Sequence, residues 1–342
     1  METSEYYTMR LAADSPCSGS GPGTMLTGIR NALIIYNPLA GRNRHGRLQQ
    51  LEAARQVLAR VGIDAELQPT GSGGEATGLA RRAAESGCEL VIACGGDGTV
   101  NEAVNGLAAD PAGRQVPLAV LPAGTANVLA KELGIPWNIP RAARMISCGS
   151  LRRVALGVAA SPGPPAVRRF FLCVAGAGPD GVMVYSLNPA LKLRAGIAAY
   201  WLEGFRQIFR YRFPRFRVTA EGRQMEVTLV VIGRTKHYGG PFRITTGADL
   251  FGEEFELAIY TTRSATRYLS YIPALWLGRL RRRRDVHFWK ARSLRCEPLG
   301  RERIYAQVDG EPAGRLPVEF SIVPDALTLV VPEPSRGRHS TS

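Results

Sequence analysis

Long apolar segments are missing from this 342-residue sequence. A membrane-spanning helix needs about 20 predominantly apolar residues in a row, so the sequence predicts none. Residues 1–24 also lack the basic start and the apolar core of a secretory signal peptide. The six cysteines show no C-x-x-C pairing or disulfide spacing, and several lie in apolar runs. Together these absences favour a reduced, cytoplasmic protein.

Signatures of several large classes are also absent. There is no G-x-x-x-x-G-K-[ST] loop and no H-R-D motif, which excludes P-loop NTPases and protein kinases. The histidines are scattered and form no metal-ligand pattern. Only four of the 43 Lys and Arg residues are lysine, so arginine supplies most of the positive charge behind the net +14. This excess suits phosphate groups or an anionic membrane surface, or it reflects genome composition. We expect no nucleic-acid partner and leave a homodimer open.

Apolar runs and helical patterns alternate in the first half of the chain. The runs are Ala32–Tyr36, Ile63–Gln68, Leu90–Cys94 and Pro117–Leu121, each followed by a polar or glycine-rich loop and a helix. This alternation predicts a parallel, doubly wound sheet. The carboxyl ends of its strands share one edge, so the loops at 37–44, 70–75, 95–99 and 122–127 should converge there, where ligands bind.

The most informative stretch is residues 89–107. A buried strand (Leu90–Cys94) runs into a side-chain-poor turn (Gly95–Gly98) and then a helix. Thr99 and Glu102 have the spacing of a capping box at the start of that helix. A strand, a glycine turn and a helix amino terminus form an anion site, because free N–H groups and the helix dipole point at the ligand. An ordinary tight connection between strand and helix is the alternative.

Beyond about residue 150 the pattern changes to short strand-like runs separated by turns. The runs cover residues 151–159, 168–175, 215–220, 225–232, 254–261, 294–298, 303–308, 316–322 and 327–331, and a helical stretch at 190–210 interrupts them. Such a pattern is typical of an antiparallel sandwich. We expect the following division: a disordered leader (1–27), an α/β domain (28–150), a β-sandwich domain (151–332) and a disordered tail (333–342). A return of the chain end to the first domain is left open.

An aromatic and apolar segment precedes a run of arginines within residues 268–284. It contains Tyr268, Tyr271 and Trp276, and Arg281–Arg284 follow. The segment is too short to span a bilayer, but the combination suits the interface of an anionic membrane. A helix packed on the sandwich with a solvated basic end explains the pattern equally well.

The sequence Gly-Gly-Asp-Gly-Thr-Val-Asn-Glu at residues 95–102 closely resembles the signature of the diacylglycerol kinase catalytic domain superfamily. That group includes sphingosine kinases, ceramide kinases and bacterial soluble lipid kinases. The first four residues alone are shared with NAD kinases and 6-phosphofructokinases. Further matches span residues 30–331: Asn37-Pro38 with Gly41, Pro122–Asn127, Ala175–Gly178, Gly239-Gly240 with Ala248-Asp249, and Val308–Pro312. The resemblance is closest to the bacterial branch.

The resemblance implies a fold and an activity. The fold is an NAD-kinase-like α/β domain followed by a β-sandwich domain, with the active site between them. The activity is transfer of the γ-phosphoryl group of ATP, with Mg²⁺, to a hydroxyl of diacylglycerol or a sphingoid-type lipid in phospholipid metabolism. The implied nucleotide contacts are Asn37, Thr70, Gly96, Asp97, Gly98, Thr99, Val100, Asn101, Glu102 and Thr125. The implied Mg²⁺ contacts are Asp249, Gly252 and Glu254.

Three carboxylates are candidates for the chemistry. The resemblance implies Glu311 as the base that accepts the hydroxyl proton, which a neutral alcohol needs as it attacks. Asp97 could instead orient the hydroxyl or bind metal. Asp309 belongs to the same late motif, although Asp309-Gly310 by itself would indicate a hairpin turn. Thr99 and Thr125 have helix N-capping as their alternative role.

Two positions depart from the family pattern. Relatives often have aspartate where this chain has Val128, and Asp-Gly where it has Gly252-Glu253. Both changes remove carboxylates from the implied metal network. Two alternatives to a lipid kinase therefore stay open: an NAD kinase-like small-molecule kinase, and a catalytically weakened nucleotide- or lipid-binding regulator. The long second domain and its late Asp-Gly-Glu motif argue against the NAD kinase.

Overall fold

A computed structural model describes residue 26 and residues 28–41, 46–162, 166–186, 210–239 and 242–332. The predicted leader, apart from residue 26, and the predicted tail lie outside the described residues. The helix predicted over residues 190–210 lies outside them too, except for its last residue.

The amino-terminal lobe alternates strands and helices. Its strands are β1 (Asn31–Tyr36), β2 (Asp64–Pro69), β3 (Val91–Gly95) and β4 (Pro117–Pro122). Its helices are α1 (Arg47–Ala59), α2 (Glu75–Glu85), α3 (Asp97–Ala108), α4 (Val128–Glu132) and α5 (Ile139–Ser147). The strands pair in parallel in the order β2-β1-β3-β4, and every residue of β3 and β4 is buried. Central parallel strands are covered on both faces, so the predicted α/β domain is confirmed.

Antiparallel strands extend this sheet and build a second one. The extension holds β5 (Ser150–Ser161), β6 (Val167–Phe171), β8 (Phe216–Ala220), β9 (Arg223–Val227), β13 (Ser293–Pro298) and β16 (Val318–Val331). The second sheet holds β7 (Val174–Ala177), β10 (Leu229–Gly233), β11 (Phe255–Tyr260), β12 (Val286–Ala291), β14 (Tyr305–Val308) and β15 (Glu311–Arg315). Helices α6 (Pro179–Ser186) and α7 (Ala265–Trp276) accompany them.

Aromatic side chains fill the space between these two sheets. The ring of Phe171, from the first sheet, stacks 5.6 Å from the ring of Phe255 in the second. Phe320 meets the same Phe171 ring edge-on at 6.4 Å. The predicted β-sandwich is thereby confirmed, although β12 and β15 were not among the predicted strands.

Strand β16 belongs to both lobes. Its first half pairs with β13, and Thr328 and Leu329 pair in parallel with Pro117 and Leu118 of β4. Strand β5 runs antiparallel beside it from one end to the other. The last described strand therefore lies in the sheet of the amino-terminal lobe.

Helix α3 starts differently from the expected pattern. Gly96 is its N-cap residue, and no side chain caps it. Glu102 instead accepts hydrogen bonds from Gly74 N (2.8 Å) and Ala76 N (3.1 Å) at the start of α2. The predicted capping box between Thr99 and Glu102 is therefore wrong, because Glu102 serves the amino end of the neighbouring helix.

Residues 268–284 form most of α7 and the turns that follow it. Tyr268 and Tyr271 are buried, with ring centroids 5.5 Å apart. Trp276 and Leu277, at the end of the helix, are 66% and 63% exposed. The tyrosines thus pack in the core, while the end of the helix projects large apolar side chains. Within the described part of the chain, no helix is long and apolar enough to cross a bilayer.

Candidate active site

The carboxyl ends of the parallel strands bring the predicted loops to one edge of the sheet. Asn37 N donates to Cys94 O at 3.0 Å, which joins the loop after β1 to the end of β3. Thr70 N donates to Tyr36 O at 2.9 Å, which joins the loop after β2 to the end of β1. The loops converge where the topology of such sheets places ligands.

Two glycine turns meet at this edge. Gly95 O accepts hydrogen bonds from Ala123 N (2.9 Å) and Gly124 N (3.0 Å). A β-carbon added to Gly124 would lie only 2.3 Å from the Gly96 α-carbon. Glycine is thus required because the two backbones touch, and the rim they form is made of main-chain atoms.

The amino end of α3 lies on this rim. Its first helical hydrogen bond runs from Val100 N to Gly96 O at 3.1 Å. The amides of Asp97, Gly98 and Thr99 precede that bond, so they are the orphan donors of the helix. Together with the positive end of the helix dipole, such donors form an anion site.

Asp97 connects the two glycine turns. Its Oδ1 accepts a hydrogen bond of 2.6 Å from Val128 N, the first amide of α4. Burial raises the pKa of Asp97, and the nearby charge of Asp309 raises it further, while the hydrogen bond from Val128 N opposes both effects. The structure therefore gives Asp97 a definite role in holding α4 against α3.

Asn101 and Asp309 join the two lobes. Asn101 Nδ2, from α3, donates to Asp309 Oδ2 at 3.0 Å. The same carboxylate accepts from the backbone amides of Leu172 (2.8 Å), Cys173 (3.0 Å) and Val174 (2.9 Å). Burial raises the pKa of Asp309, and these four donors act against the shift. Asp309 is held by the second lobe and holds Asn101 of the first.

Glu311 faces the amino end of α3 from the opposite lobe. A β-carbon added to Gly98 would lie 3.0 Å from Glu311 Oε1. Arg169 Nη2 is 3.9 Å from Glu311 Oε2, and Arg169 Nε also donates to Asn101 Oδ1 at 3.0 Å. The Glu311 side chain is 24% exposed, so solvent reaches part of it.

Other predicted nucleotide contacts have different surroundings. Val100 is buried in the core, and Thr99 lies against Gly95, whose added β-carbon would meet Thr99 Oγ1. Glu102 accepts from two amides of α2, as described above. Thr125 is half-buried in the turn after β4, and Asn127 rather than Thr125 is the N-cap residue of α4.

The described residues that the resemblance assigns to Mg²⁺ form no cluster of carboxylate side chains. Asp249 is exposed, and its Oδ1 accepts from Phe251 N at 3.0 Å. Gly252 O accepts from Arg234 Nη1 at 3.2 Å, and Glu254 is exposed. Within the described ranges, no group of three or more His, Cys, Asp or Glu side chains could hold a metal ion. Mg²⁺ demands near-octahedral oxygen ligands, so the side chains at 249–254 do not fit it.

Asp180, which was not among the predicted site residues, is a buried carboxylate beside the late motif. Gln307 Nε2 donates to Asp180 Oδ2 at 2.7 Å, and the Tyr238 hydroxyl donates to Asp180 Oδ1. Gln307 Oε1 accepts from Gly310 N at 2.8 Å, so this network reaches the turn between Asp309 and Glu311. Burial raises the pKa of Asp180.

A second missed contact ties α4 to the other lobe. His237 Nδ1 lies 2.6 Å from Glu132 Oε2, and Lys236 N donates to the same oxygen at 3.1 Å. These residues are more than 100 positions apart in the chain and belong to no motif. Only a signal that reports contacts between distant positions could have found them.

Comparisons with known proteins agree with this architecture. Residues 31–159 match the diacylglycerol kinase catalytic domain, and residues 173–331 match the YegS C-terminal NAD kinase beta sandwich-like domain. A diacylglycerol kinase of Bacillus subtilis is 29% identical over 89% of this chain and 97% of that protein. One of Staphylococcus aureus is 31% identical over 85% of this chain and 89% of that protein.

The fold is also that of a solved structure. A crystal structure of a diacylglycerol kinase from Bacillus anthracis superposes with a TM-score of 0.71 at 24% identity. The match covers 90% of this chain and 99% of that one, and at this identity it speaks for the fold alone. The 31% identity to the staphylococcal protein extends over most of both sequences and is high enough to establish the family. On that basis the chain belongs to the diacylglycerol kinase family.

Proposed function

We propose that this protein is an ATP-dependent lipid kinase that phosphorylates a hydroxyl of diacylglycerol or a sphingoid-type lipid. One observation carries the proposal: the carboxylate of Glu311, from the second lobe, lies directly against Gly98 at the amino end of α3. A carboxylate of one lobe and the anion site of the other thus lie side by side. ATP as phosphoryl donor and Mg²⁺ as the counter-ion of its phosphates belong to the same proposal. The names of the relatives support a lipid as acceptor.

The phosphates of the nucleotide would bind the main-chain rim. The amides at the start of α3 provide the donors, while Ala123 N and Gly124 N of the second turn already donate to Gly95 O. Phosphoryl transfer depends mainly on positioning and on charge stabilisation. A rim of fixed backbone amides supplies both.

Glu311 is the proposed general base. As the lipid oxygen forms its bond to the γ-phosphorus, the bond from that phosphorus to the bridging oxygen of ADP breaks. The hydroxyl proton passes to a Glu311 carboxylate oxygen. Asp309 is less suited to this task, because four N–H groups already donate to its oxygens. We assign Asp309 and Asp97 to positioning.

The test is a transfer assay with γ-labelled ATP, Mg²⁺, a panel of lipids and NAD. We expect label in a lipid, and a loss of turnover in Glu311→Gln with ATP binding close to normal. Glu319→Gln is the matched control, since Glu319 is an exposed carboxylate that pairs with Arg295. Label in NADP would instead identify an NAD kinase, and no label in any acceptor would favour a binding regulator. Full activity of Glu311→Gln would remove Glu311 from the base role.

We also propose cytoplasmic residence with peripheral attachment to an anionic membrane. The docking patch consists of the exposed side chains Trp276, Leu277, Arg279, Arg282 and Arg284. The aromatic and apolar side chains suit the boundary of the acyl chains, and the arginines suit the anionic headgroups. At the foot of the patch, the Trp276 ring packs edge-on against Phe242 at 5.6 Å.

Vesicle sedimentation tests the docking patch. The double substitution Trp276→Ala with Leu277→Ala should weaken binding to vesicles of phosphatidylcholine and phosphatidylserine by about 10-fold or more, because two large apolar contacts are lost. Leu48→Ala is the control, since Leu48 is 60% exposed on α1, outside the patch. Equal binding of the double variant and the wild type would reject the patch.

A further inference from the structure

Arg234 carries a fully buried guanidinium group at the end of β10. Its Nη2 donates to Leu250 O at 2.5 Å and its Nη1 to Gly252 O at 3.2 Å. Its backbone is fixed as well, because Arg234 N donates to Cys173 O at 2.8 Å. Burial lowers the pKa of Arg234 to about 10, so the group stays protonated at neutral pH.

The carbonyl oxygens that receive this guanidinium belong to the segment at 249–254, where the family resemblance implied Mg²⁺. The acidic side chains of this segment have partners of their own. Asp249 Oδ1 accepts from Phe251 N, and Glu254 lies 3.7 Å from Lys290 Nζ at the surface. The carboxylate that relatives often have at position 252 is replaced here by Gly252.

We infer that the guanidinium of Arg234 takes the place of a divalent cation at the 249–254 segment. Both groups bring positive charge to backbone carbonyl oxygens and thereby fix the turn that carries them. They exclude each other, because a cation at Gly252 O would displace an N–H donor and would stand beside a buried like charge. In this chain, the segment therefore binds no divalent cation of its own.

The inference is independent of the proposed kinase activity. It concerns the resting protein without nucleotide, and its tests measure metal binding and local opening rather than turnover. Any Mg²⁺ that accompanies a nucleotide is a separate matter, since that ion would be held by phosphates.

The first test is Mn²⁺ binding to the nucleotide-free, full-length protein, followed by electron paramagnetic resonance. We expect the same free Mn²⁺ signal with the wild type and with Asp249→Asn, because the Asp249 carboxylate holds no metal. A bound Mn²⁺ in the wild type that Asp249→Asn releases would overturn the inference. This comparison leaves Arg234 unchanged, so it decides the question even where an Arg234 variant does not fold.

The second test is hydrogen exchange at the amides of residues 249–254. Arg234→Met should accelerate exchange there by about 10-fold or more, because two charge-assisted hydrogen bonds are lost. The control is Arg217→Met, which removes an exposed arginine from β8 and should leave these amides unchanged. Adding Mg²⁺ should not change exchange in the wild type. Slower exchange of the wild type with Mg²⁺, or no effect of Arg234→Met, would contradict the inference.

Discussion

The contact between the two glycine turns predicts that Gly124→Ala destabilises the protein. The new β-carbon would lie 2.3 Å from Gly96 Cα and 2.9 Å from Asn127 Oδ1. Carbon atoms rest at about 3.5–4.0 Å, so the turns must separate by about 1 Å. That shift would stretch the bonds from Ala123 N (2.9 Å) and Gly124 N (3.0 Å) to Gly95 O beyond hydrogen-bonding range. Overpacking and two weakened hydrogen bonds together lower the free energy of unfolding by about 2–4 kcal/mol.

Urea unfolding of Gly124→Ala and of a control variant, Gly73→Ala, measures this loss in the free energy of unfolding. Gly73→Ala is the control, because Gly73 lies in the loop after β2 and no atom comes within 4 Å of its added β-carbon. Its free energy of unfolding should change by no more than about 0.5 kcal/mol. Separation of the turns also displaces the amides at the start of α3, so kcat of Gly124→Ala should fall by about 100-fold. Equal stability of the two variants together with an unchanged kcat for Gly124→Ala would refute the close approach of the turns.

Three further predictions concern buried or half-buried polar groups. Asn101→Ala removes a donor from Asp309 and should lower the free energy of unfolding by about 1–3 kcal/mol in urea titrations; an unchanged midpoint would contradict that role. Glu102→Gln weakens the interaction with the amino end of α2 and should lower the free energy of unfolding by about 0.5–1 kcal/mol in the same assay. The control is Glu85→Gln, at an exposed position, which should lower it by less. Burial raises the pKa of Asp180, so its contribution to stability is complete below about pH 4 and is lost as pH rises through the folded-state pKa. As the pH rises from about 4 to 7, thermal scans should therefore show the melting temperature of Asp180→Asn rising relative to that of the wild type. A difference in melting temperature that does not change with pH would exclude the effect.

Local signals were strongest in the amino-terminal lobe. Strands β3 and β4 are short apolar runs that are buried on both faces, and each ends in a glycine turn. Such a pattern determines the strand, its end and the edge where its loop lies, without knowledge of distant residues. The convergence of the loops followed from topology alone.

The remaining features depend on contacts between distant parts of the chain. Glu102 has good capping-box spacing, yet it bonds to α2, because packing of the two helices brings another amino end closer. Strand β15 (Glu311–Arg315) contains proline and glycine, which weaken any strand signal, and it lies at the edge of its sheet. Asp309 looks like a turn residue, and its φ of 48° fits that role. Its four donors come from Asn101 and from three consecutive amides between β6 and β7, which no local pattern reveals.

The arrangement of the two lobes depends on the way β16 passes through both. The strand pairs with β13 of the sandwich and with β4 of the parallel sheet, and β5 follows it on the other side. Its pairing with β5 shifts between Val323 and Leu327, where Asp325 has a φ of 46°. Since hydrogen-bonded strands continue across this bend, the two lobes share a sheet rather than a flexible linker. Glu311 itself lies on β15 of the second sheet, so its approach to Gly98 depends on how that sheet packs against the shared one.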